Sequence, residues 1–196
     1  HIDKYLEVAV SQYSSLAYLL LFLIIFLETG VVVTPFLPGD SLLFAAGALA
    51  ATGSFRIEIL FLMLTLAAIA GDTLNYHLGK FIGPKIFNRE SSFFFHKSHL
   101  LRAQSFYEKY GKKTIILARF VPIMRTFAPF VAGIGKMNYG IFLTYNVIGG
   151  ALWSGLFVFG GYIFGGIPWV KDHFGLFVLA IICISFIPVI KELIVH

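Results

Sequence analysis

Charged side chains are scarce in this sequence, and their scarcity excludes a water-soluble globular domain. Only 13% of the 196 residues are Asp, Glu, Lys or Arg, whereas soluble domains carry about 25%. Too little polar surface remains to face water on every side. Instead, 58% of the residues are hydrophobic and 17% are aromatic, with 22 Phe among them. This composition predicts an all-α polytopic membrane protein.

Cysteines and clustered metal ligands are also lacking. The one cysteine, Cys183, lies in an apolar stretch, which excludes a disulfide framework and a cysteine-based metal site. No cluster of His, Asp and Glu surrounds His77 in the sequence, so we interpret that residue as an interfacial hydrogen-bonding side chain. We therefore expect no metal ion and no cofactor.

Long apolar runs, in contrast, fill most of the chain. At about 20 residues per span, they predict about four transmembrane helices within a single membrane domain over residues 1–196. The predicted spans are residues 8–33, 57–80, 139–166 and 172–191. Residues 81–113 lack such a run and are predicted to form a basic surface segment. Within it, residues 99–111 have the spacing of an amphipathic helix on the membrane surface.

Two apolar segments are unlike spanning helices. Residues 41–55 are too short to cross, and residues 114–135 contain Arg119, Arg125 and two prolines. Proline interrupts the helical hydrogen-bond ladder, and irregular backbone at bilayer depth survives only inside protein or along a cavity. Both segments are predicted to be re-entrant helical hairpins, at about 34–53 and 114–136. The residues expected to shape them are Pro35, Pro38, Gly39, Pro122, Pro129 and Gly133.

A weak internal repeat relates these two segments. The run Phe44-Ala-Ala-Gly47 recurs 86 residues later as Phe130-Val-Ala-Gly133. At the same offset, Tyr76-His-Leu-Gly79 recurs as Tyr162-Ile-Phe-Gly165. Each repeat would contain one hairpin and one spanning helix, so a single crossing would invert the second copy, as in many transporters. Because Gly, Ala and Phe are common here, two short matches could also arise by chance.

Basic residues are concentrated in one connecting segment. Eight Lys and Arg lie between Lys80 and Lys113, against Glu90 and Glu108. The positive-inside rule places this segment in the cytoplasm, together with both termini. A nucleic-acid-binding patch is the alternative, but no soluble domain is predicted that could present it.

Four charged residues fall at depths where lipid does not accommodate charge: Glu28, Asp40, Arg119 and Arg125. Asp72 is a candidate for a fifth. Arginine is suited to planar, bidentate binding of phosphate, and a carboxylate balanced between burial and a nearby arginine can bind and release a proton. Alternatively, Glu28 and Asp40 form ion pairs with Arg119 and Arg125 that hold the two hairpins together. For Asp72, hydrogen bonding to hairpin backbone is equally compatible with the sequence.

Several runs resemble the signatures of the DedA family of membrane proteins, which carry the VTT or SNARE-associated domain. The first is Phe26-Leu-Glu28-Thr-Gly-Val-Val-Val-Thr-Pro35-Phe-Leu-Pro38-Gly-Asp40-Ser-Leu-Leu-Phe44. The others are Gly71-Asp-x-x-Asn-Tyr-x-x-Gly79, then Ala118-Arg-Phe-Val-Pro-Ile-Met-Arg-Thr-Phe-Ala-Pro-Phe-Val-Ala-Gly133, continued by Asn146-Val-Ile-Gly-Gly-Ala-Leu-Trp153. Their ordered combination covers nearly the whole chain.

This resemblance implies a fold and a function. Bacterial members are linked to return of the undecaprenyl phosphate carrier and to proton-dependent membrane homeostasis, and related eukaryotic proteins scramble phospholipids. The family's essential acidic pair corresponds to Glu28 and Asp40, and its essential arginines correspond to Arg119 and Arg125. The implied location is the bacterial inner membrane.

The leading hypothesis is therefore a lipid translocase, not an enzyme. Arg119 and Arg125 would bind an anionic lipid phosphate headgroup, while Glu28, Asp40 and Asp72 would handle protons or act as a gate. The alternative is a proton-coupled transporter of a small solute or ion, which would need a sealed cavity. A lipid phosphatase would need histidines within the hairpins, and none is present there. A structural scaffold would leave the charges in the apolar segments unexplained.

Overall fold

The computed structural model describes residues 2–31, 39–87, 97–173 and 176. It omits the side chains of residues 2–14, 84–87, 97–103, 122–123 and 171–172 from that description. Within the described part the regular structure is helical throughout, with no strand. The helices are α1 (Ile2–Gly30), α2 (Gly39–Ala51), α3 (Ile57–Phe87), α4 (Lys97–Tyr110), α5 (Thr114–Ala118), α6 (Pro122–Ile134), α7 (Tyr139–Gly165) and α8 (Pro168–Asp172). A short 3₁₀ turn, Gly111–Lys113, joins α4 to α5.

Two described helices are long and apolar enough to cross a bilayer. They are Ile57–Gly83 within α3 and Tyr139–Gly165, which is α7. In α1 the shorter stretch Ser15–Gly30 is apolar. Most of the fourth predicted span, 172–191, lies outside the described residues, so the structure supports two of the four spans on length and composition.

Helix ends differ from the sequence prediction in several places. α1 begins at Ile2 rather than residue 8 and ends at Gly30 rather than residue 33. α3 continues to Phe87, so the first part of the predicted basic surface segment belongs to this helix. The amphipathic helix predicted at 99–111 is α4, Lys97–Tyr110. The short helix α8 was not predicted.

Large apolar side chains are exposed along both long helices. Leu62 and Leu66 on α3 are 60% and 61% exposed, and Ile163 on α7 is 69% exposed. Extended exposed apolar surface on a soluble monomer would be an association surface. On helices of this length and hydropathy, such a surface is compatible with contact with lipid.

The chain forms two compact units. The first contains residues 1–24, 38–64 and 154–196, and the second contains residues 25–37 and 65–153. The division falls within α1, α3 and α7, so each of these helices contributes to both units.

Glycines bring two helices of the first unit into backbone contact. A Cβ added to Gly47 of α2 would lie 2.1 Å from the carbonyl oxygen of Val158 in α7. A Cβ on Gly161 would lie 1.9 Å from the carbonyl oxygen of Phe44. Both distances are shorter than any real contact, so only glycine allows α2 and α7 to approach this closely.

The same arrangement occurs within the second unit. A Cβ on Gly133 of α6 would lie 2.0 Å from the carbonyl oxygen of Tyr76, and one on Gly79 of α3 would lie 2.1 Å from that of Phe130. Around this contact, Tyr76 stacks on Phe142 with ring centroids 4.5 Å apart. Gly133 therefore serves close packing of α6 on α3.

These contacts correct the register of the internal repeat. Gly47 and Gly133, separated by 86 residues, make equivalent contacts. In the long helices, however, Gly79 corresponds to Gly161, which is 82 residues further along, and not to Gly165. The predicted match was wrong by about one helical turn, because glycines four residues apart on both helices allow either alignment. Inversion of the second copy stays a prediction.

The segment predicted as the second hairpin consists of two helices with a break between them. The break occurs directly before Pro122, which occupies the first helical position of α6, where its missing N–H costs no hydrogen bond. Pro129 was predicted to be a helix breaker, and this was wrong: it lies inside α6. Side chains of α3 and α4 donate hydrogen bonds to the α6 carbonyl oxygens of Thr126 and Ala128. These hydrogen bonds attach α6 to α3 and α4 next to Pro129, while the helical bond that the proline cannot make is the one to the carbonyl oxygen of Arg125.

Helix α4 packs on α6 through Tyr107. The Tyr107 hydroxyl donates to the carbonyl oxygen of Ala128 at 3.1 Å. Burial, and then the negative charge of Asp72, raises the pKa of Tyr107 above its ordinary value. The phenol therefore stays protonated and remains a donor at physiological pH, which fixes α4 against α6.

Candidate functional site

Four ionisable side chains are buried together in the second unit. Glu28, Asp72, Arg119 and Arg125 are at most 6% exposed. Full burial of a charge is costly unless a partner of opposite charge and hydrogen bonds compensate it. Each arginine has a carboxylate partner here, so the four form two ion pairs.

The first pair joins α1 to α6. Glu28 lies near the C-terminal end of α1, and Arg125 lies in the first turn of α6. Arg125 Nη2 donates to Glu28 Oε1 at 2.5 Å. The guanidinium carbon of Arg125 also lies 5.2 Å from the ring centroid of Trp153, within the range of a cation–π interaction.

The second pair joins the α5–α6 break to α3 and α7. Arg119 Nη2 donates to Asp72 on α3 and to the side-chain oxygen of Asn146 on α7. Asn146 in turn donates to the carbonyl oxygen of Ile69 at 3.1 Å. The Arg119 guanidinium lies 6.0 Å from the Trp153 ring. Asp72 is thus the ion-pair partner of Arg119. The alternative, a hydrogen bond between its carboxylate and hairpin backbone, is not found among the described residues.

The break between α5 and α6 is what positions both arginines. α5 ends at Ala118, and Val121 is extended, with φ −117° and ψ 111°. Pro122 disfavours a helical conformation in the residue before it, which stops α5 from continuing into α6. Arg119 consequently follows the last residue of α5, whereas Arg125 lies in the first turn of α6.

One face of α7 is shaped around Arg119. Asn146, Gly149, Gly150 and Trp153 recur at three- to four-residue spacing, so they lie on the same side of the helix. A Cβ on Gly149 would lie 3.1 Å from Arg119 Cδ, and one on Gly150 would lie 3.6 Å from its Nη2. The two glycines leave the space that the arginine side chain occupies.

Asn75 holds the backbone beside the first ion pair. Its Nδ2 donates to the carbonyl oxygen of Thr29 at 3.2 Å and to that of Thr126 at 2.7 Å. These residues directly follow Glu28 and Arg125 in the chain. Asn75 is therefore a positioning residue for both members of the pair.

The Arg119–Asp72 pair is incompletely hydrogen-bonded. Within the part of the chain that the structure describes, Nε and Nη1 of Arg119 and Oδ1 of Asp72 are buried and have no hydrogen-bond partner. Native proteins rarely leave buried donors unsatisfied, and those that do so usually have a functional reason or an unobserved water or ion. Two of the three guanidinium nitrogens of Arg119 thus lack an acceptor among the described residues.

The structure brings together four of the five charged residues singled out in the sequence. Asp40 belongs to the first unit, where it lies partly buried in the first turn of α2. Gly39 is the buried first residue of the same helix. Pro35 and Pro38 lie outside the described residues.

Sequence reasoning did not assign a role to Asn75, Asn146 or Trp153. The signal was present in helical spacing: Asn75 lies three residues after Asp72, and Trp153 lies seven after Asn146. A buried polar residue on the same helix face as an intramembrane charge is a candidate partner of that charge. Among the described residues, no group of three His, Cys, Asp or Glu could hold a metal ion.

Comparison with known proteins identifies the family. The VTT domain matches residues 37–163. The entire chain is 52% identical over 198 aligned residues to Protein DedA of Escherichia coli K12, covering 90% of that protein. An uncharacterized membrane protein of Mycobacterium tuberculosis is 44% identical over 168 residues, which is 85% of this chain and 74% of the relative. The inner membrane protein YqjA of Escherichia coli K12 is 33% identical over 151 residues, 77% of this chain and 69% of YqjA.

No solved structure matches the chain. The buried acidic and basic residues lie within the signature runs that resemble this family, and the domain match covers more than half of the sequence. The resemblance seen in the sequence is confirmed, and the chain belongs to the DedA family of membrane proteins.

Proposed function

We propose that this protein is a lipid translocase, acting as a flippase or scramblase, that moves an anionic lipid phosphate across the bilayer. Undecaprenyl phosphate is the substrate that the family resemblance favours. On this proposal the protein is a transporter and not an enzyme, and its partners are membrane lipids and protons. The observation that carries the proposal is the buried Arg119 with two unsatisfied nitrogens.

A phosphate group fits the chemistry of Arg119. The side chain offers five N–H donors in a planar fork, and only Nη2 is used by Asp72 and Asn146. Phosphate oxygens accept bidentate, charge-assisted hydrogen bonds from such a fork. Arg125 lies against the same Trp153 ring as Arg119, so a second guanidinium lies next to the proposed phosphate site.

Charge balance gives the acids a role in the cycle. With all four side chains ionised, the two arginines and two carboxylates sum to zero net charge. An entering phosphate adds negative charge that the buried site must compensate. We infer that Asp72 or Glu28 takes up a proton when phosphate replaces it on an arginine, because a desolvated carboxylate without its cation prefers the neutral form. Asp40, the other half of the family's acidic pair, would handle protons in the first unit.

The proposed topology follows from helix lengths and basic residues. The protein would be a multi-pass protein of the bacterial inner membrane with both termini in the cytoplasm. Helices α2 and α6 contain 13 residues each, or about 20 Å of rise, which is too short for a hydrocarbon core of about 30 Å. This length supports two re-entrant hairpins, and we propose that the single crossing between them makes the repeat inverted.

Lysine substitutions test the phosphate site. Lys keeps the charge of Arg but lacks the planar fork, so Arg119→Lys and Arg125→Lys should each cost about 1–3 kcal/mol of headgroup binding. That corresponds to roughly five- to a hundredfold weaker binding. The measurement is transbilayer movement of a labelled polyprenyl phosphate in vesicles that contain the purified protein. A zwitterionic phospholipid serves as the comparison substrate and should be slowed much less.

Arg56→Lys is the matched control, because Arg56 is exposed. It should leave transport of both lipids unchanged. Equal slowing of both lipids by the two site variants would indicate a general scrambling path without a phosphate site. Full activity of Arg119→Lys would contradict the proposal. Proton-coupled movement of a small solute, with no lipid movement by the unmodified protein, would establish the alternative transporter function.

A further inference from the structure

A cavity separate from the buried ion pairs lies beside helix α4. Its volume is about 540 Å³, within the range of small-molecule sites. The walls are formed by α4, the 3₁₀ turn, the C-terminal end of α6 and the residues before α7. None of the four buried charged residues lines it.

The cavity combines an apolar interior with a basic edge. Val131, Ile134 and Met137 supply apolar surface, and Gln104 and Lys112 supply polar side chains. Lys112 is exposed, so its ammonium group can reach a headgroup in water. Among the residues that the structure describes, none that lines the cavity is acidic. This distribution matches a molecule with an apolar chain and an anionic end.

The surroundings reinforce the positive charge. Lys113 follows Lys112, and Lys136 follows Gly135 of the cavity wall; both lysines are exposed. The nearest acid along α4, Glu108, is exposed and accepts a hydrogen bond from Gln104 at 3.4 Å. Basic residues next to an amphipathic helix attract anionic lipids at a membrane surface.

We propose that this cavity is a docking site for an anionic phospholipid of the surrounding membrane, with one acyl chain among Val131, Ile134 and Met137 and the phosphate at Lys112. The site differs from the proposed transport site, since the lipid remains bound at the edge of α4 and is not moved. Tyr107 lines the cavity and hydrogen-bonds to α6. A bound lipid would therefore stabilise the packing of α4 on the helix that carries Arg125.

Two variants and one control test the site. Lys112→Gln removes the charge at the cavity edge. Lys109→Gln removes a neighbouring charge that does not line the cavity, and so measures general surface attraction. Gly135→Leu fills the cavity: φ at this residue is −71°, and a Cβ would come no closer than 3.4 Å, to the carbonyl oxygen of Val131.

The experiment titrates didecanoyl phosphatidylglycerol into the full chain in neutral detergent and counts bound lipids by native mass spectrometry. Didecanoyl phosphatidylcholine and decanoate are the comparison ligands. We expect phosphatidylglycerol to bind more tightly than either. Lys112→Gln should weaken its binding about tenfold, the loss of one charge-assisted hydrogen bond, whereas Lys109→Gln should have little effect.

Gly135→Leu should abolish binding while the helical content measured by circular dichroism is retained. Equal weakening by both lysine variants would overturn the proposal, since it would show diffuse attraction only. Equally tight binding of phosphatidylcholine, or of decanoate, would overturn it as well. Because the readout is binding and not transport, failure here is distinguishable from failure of the proposed translocase function.

Discussion

At the scale of single residues, the energetics of the candidate site depend on burial of charge. Glu28 and Arg125 are both withdrawn from solvent, and their hydrogen bond compensates part of the desolvation. A buried pair of this kind adds little net stability compared with an apolar pair of similar size. Removing one member, in contrast, leaves an uncompensated charge.

A double-mutant cycle on this pair measures the effect. Glu28→Gln and Arg125→Gln should each lower the free energy of unfolding by about 3–5 kcal/mol. The double variant should lose clearly less than the sum of the two, because it contains no lone charge. Denaturant titration in detergent gives the free energies. Glu58→Gln, at an exposed acid, is the control and should change stability by less than about 0.5 kcal/mol. Strict additivity would mean that the two side chains do not interact.

Asn75 allows a sharper test, because only its donor nitrogen makes described hydrogen bonds. Asn75→Ala should cost about 1–3 kcal/mol, because it removes both hydrogen bonds that Nδ2 donates to the carbonyl oxygens of Thr29 and Thr126. Asn75→Asp is nearly isosteric but would direct a carboxylate at those oxygens, so it should destabilise more than Ala does. The same denaturant titration ranks the variants. If Asp were tolerated better than Ala, the hydrogen bonds assigned to Nδ2 would be wrong.

At the scale of helices, backbone contact through glycine decides the packing. Gly79 and Gly161 occupy equivalent places in the two units, each against a carbonyl oxygen of a 13-residue helix. A methyl group at either place would have to move two backbones apart. In most helix interiors, by contrast, Ala is preferred to Gly because it restricts the unfolded chain.

Alanine substitutions therefore have opposite expected signs at different glycines. Gly79→Ala and Gly161→Ala should each destabilise the protein by about 1–3 kcal/mol through overpacking. Gly155→Ala, on the same helix as Gly161, would meet nothing closer than 3.6 Å. It should be neutral or stabilise by up to about 1 kcal/mol. Thermal unfolding in detergent ranks the stabilities of the three variants. If Gly155→Ala destabilised the protein, the gain in stability expected from helix propensity at an uncrowded glycine would be contradicted.

The helices were more predictable from sequence than their contacts. α3 and α7 begin at Ile57 and Tyr139, the residues at which the apolar runs predicted two of the spans to begin. The break at Arg119–Val121 could be read from Pro122. The partner of Arg119 could not, because Asp72 is 47 residues away and the pairing depends on how α3 packs. Pro129 was misjudged for a related reason, since its helix is supported by side chains from other helices.

At the scale of the whole molecule, the distribution of basic residues predicts a membrane topology. The positive-inside rule predicts that residues 80–113 face the cytoplasm and that the residues around Arg56 face outward. In a Cys183→Ser background, a cysteine at Arg56 should react with an impermeant thiol reagent added outside cells. A cysteine at Lys109 should react only after permeabilisation. Both positions are exposed, so access to the thiol is not limited by burial. Labelling of both from one side would reject the inverted arrangement.

The neutrality of the buried cluster has an electrical consequence. Moving one unpaired charge across a membrane potential of 100 mV costs about 2.3 kcal/mol. Two arginines and two carboxylates that shift together, fully ionised, carry no net charge and would perform no such work. The voltage across a bacterial membrane would then act on the anionic cargo proposed here, on any accompanying proton and on charges outside the cluster such as Asp40, and would do no work on the cluster itself.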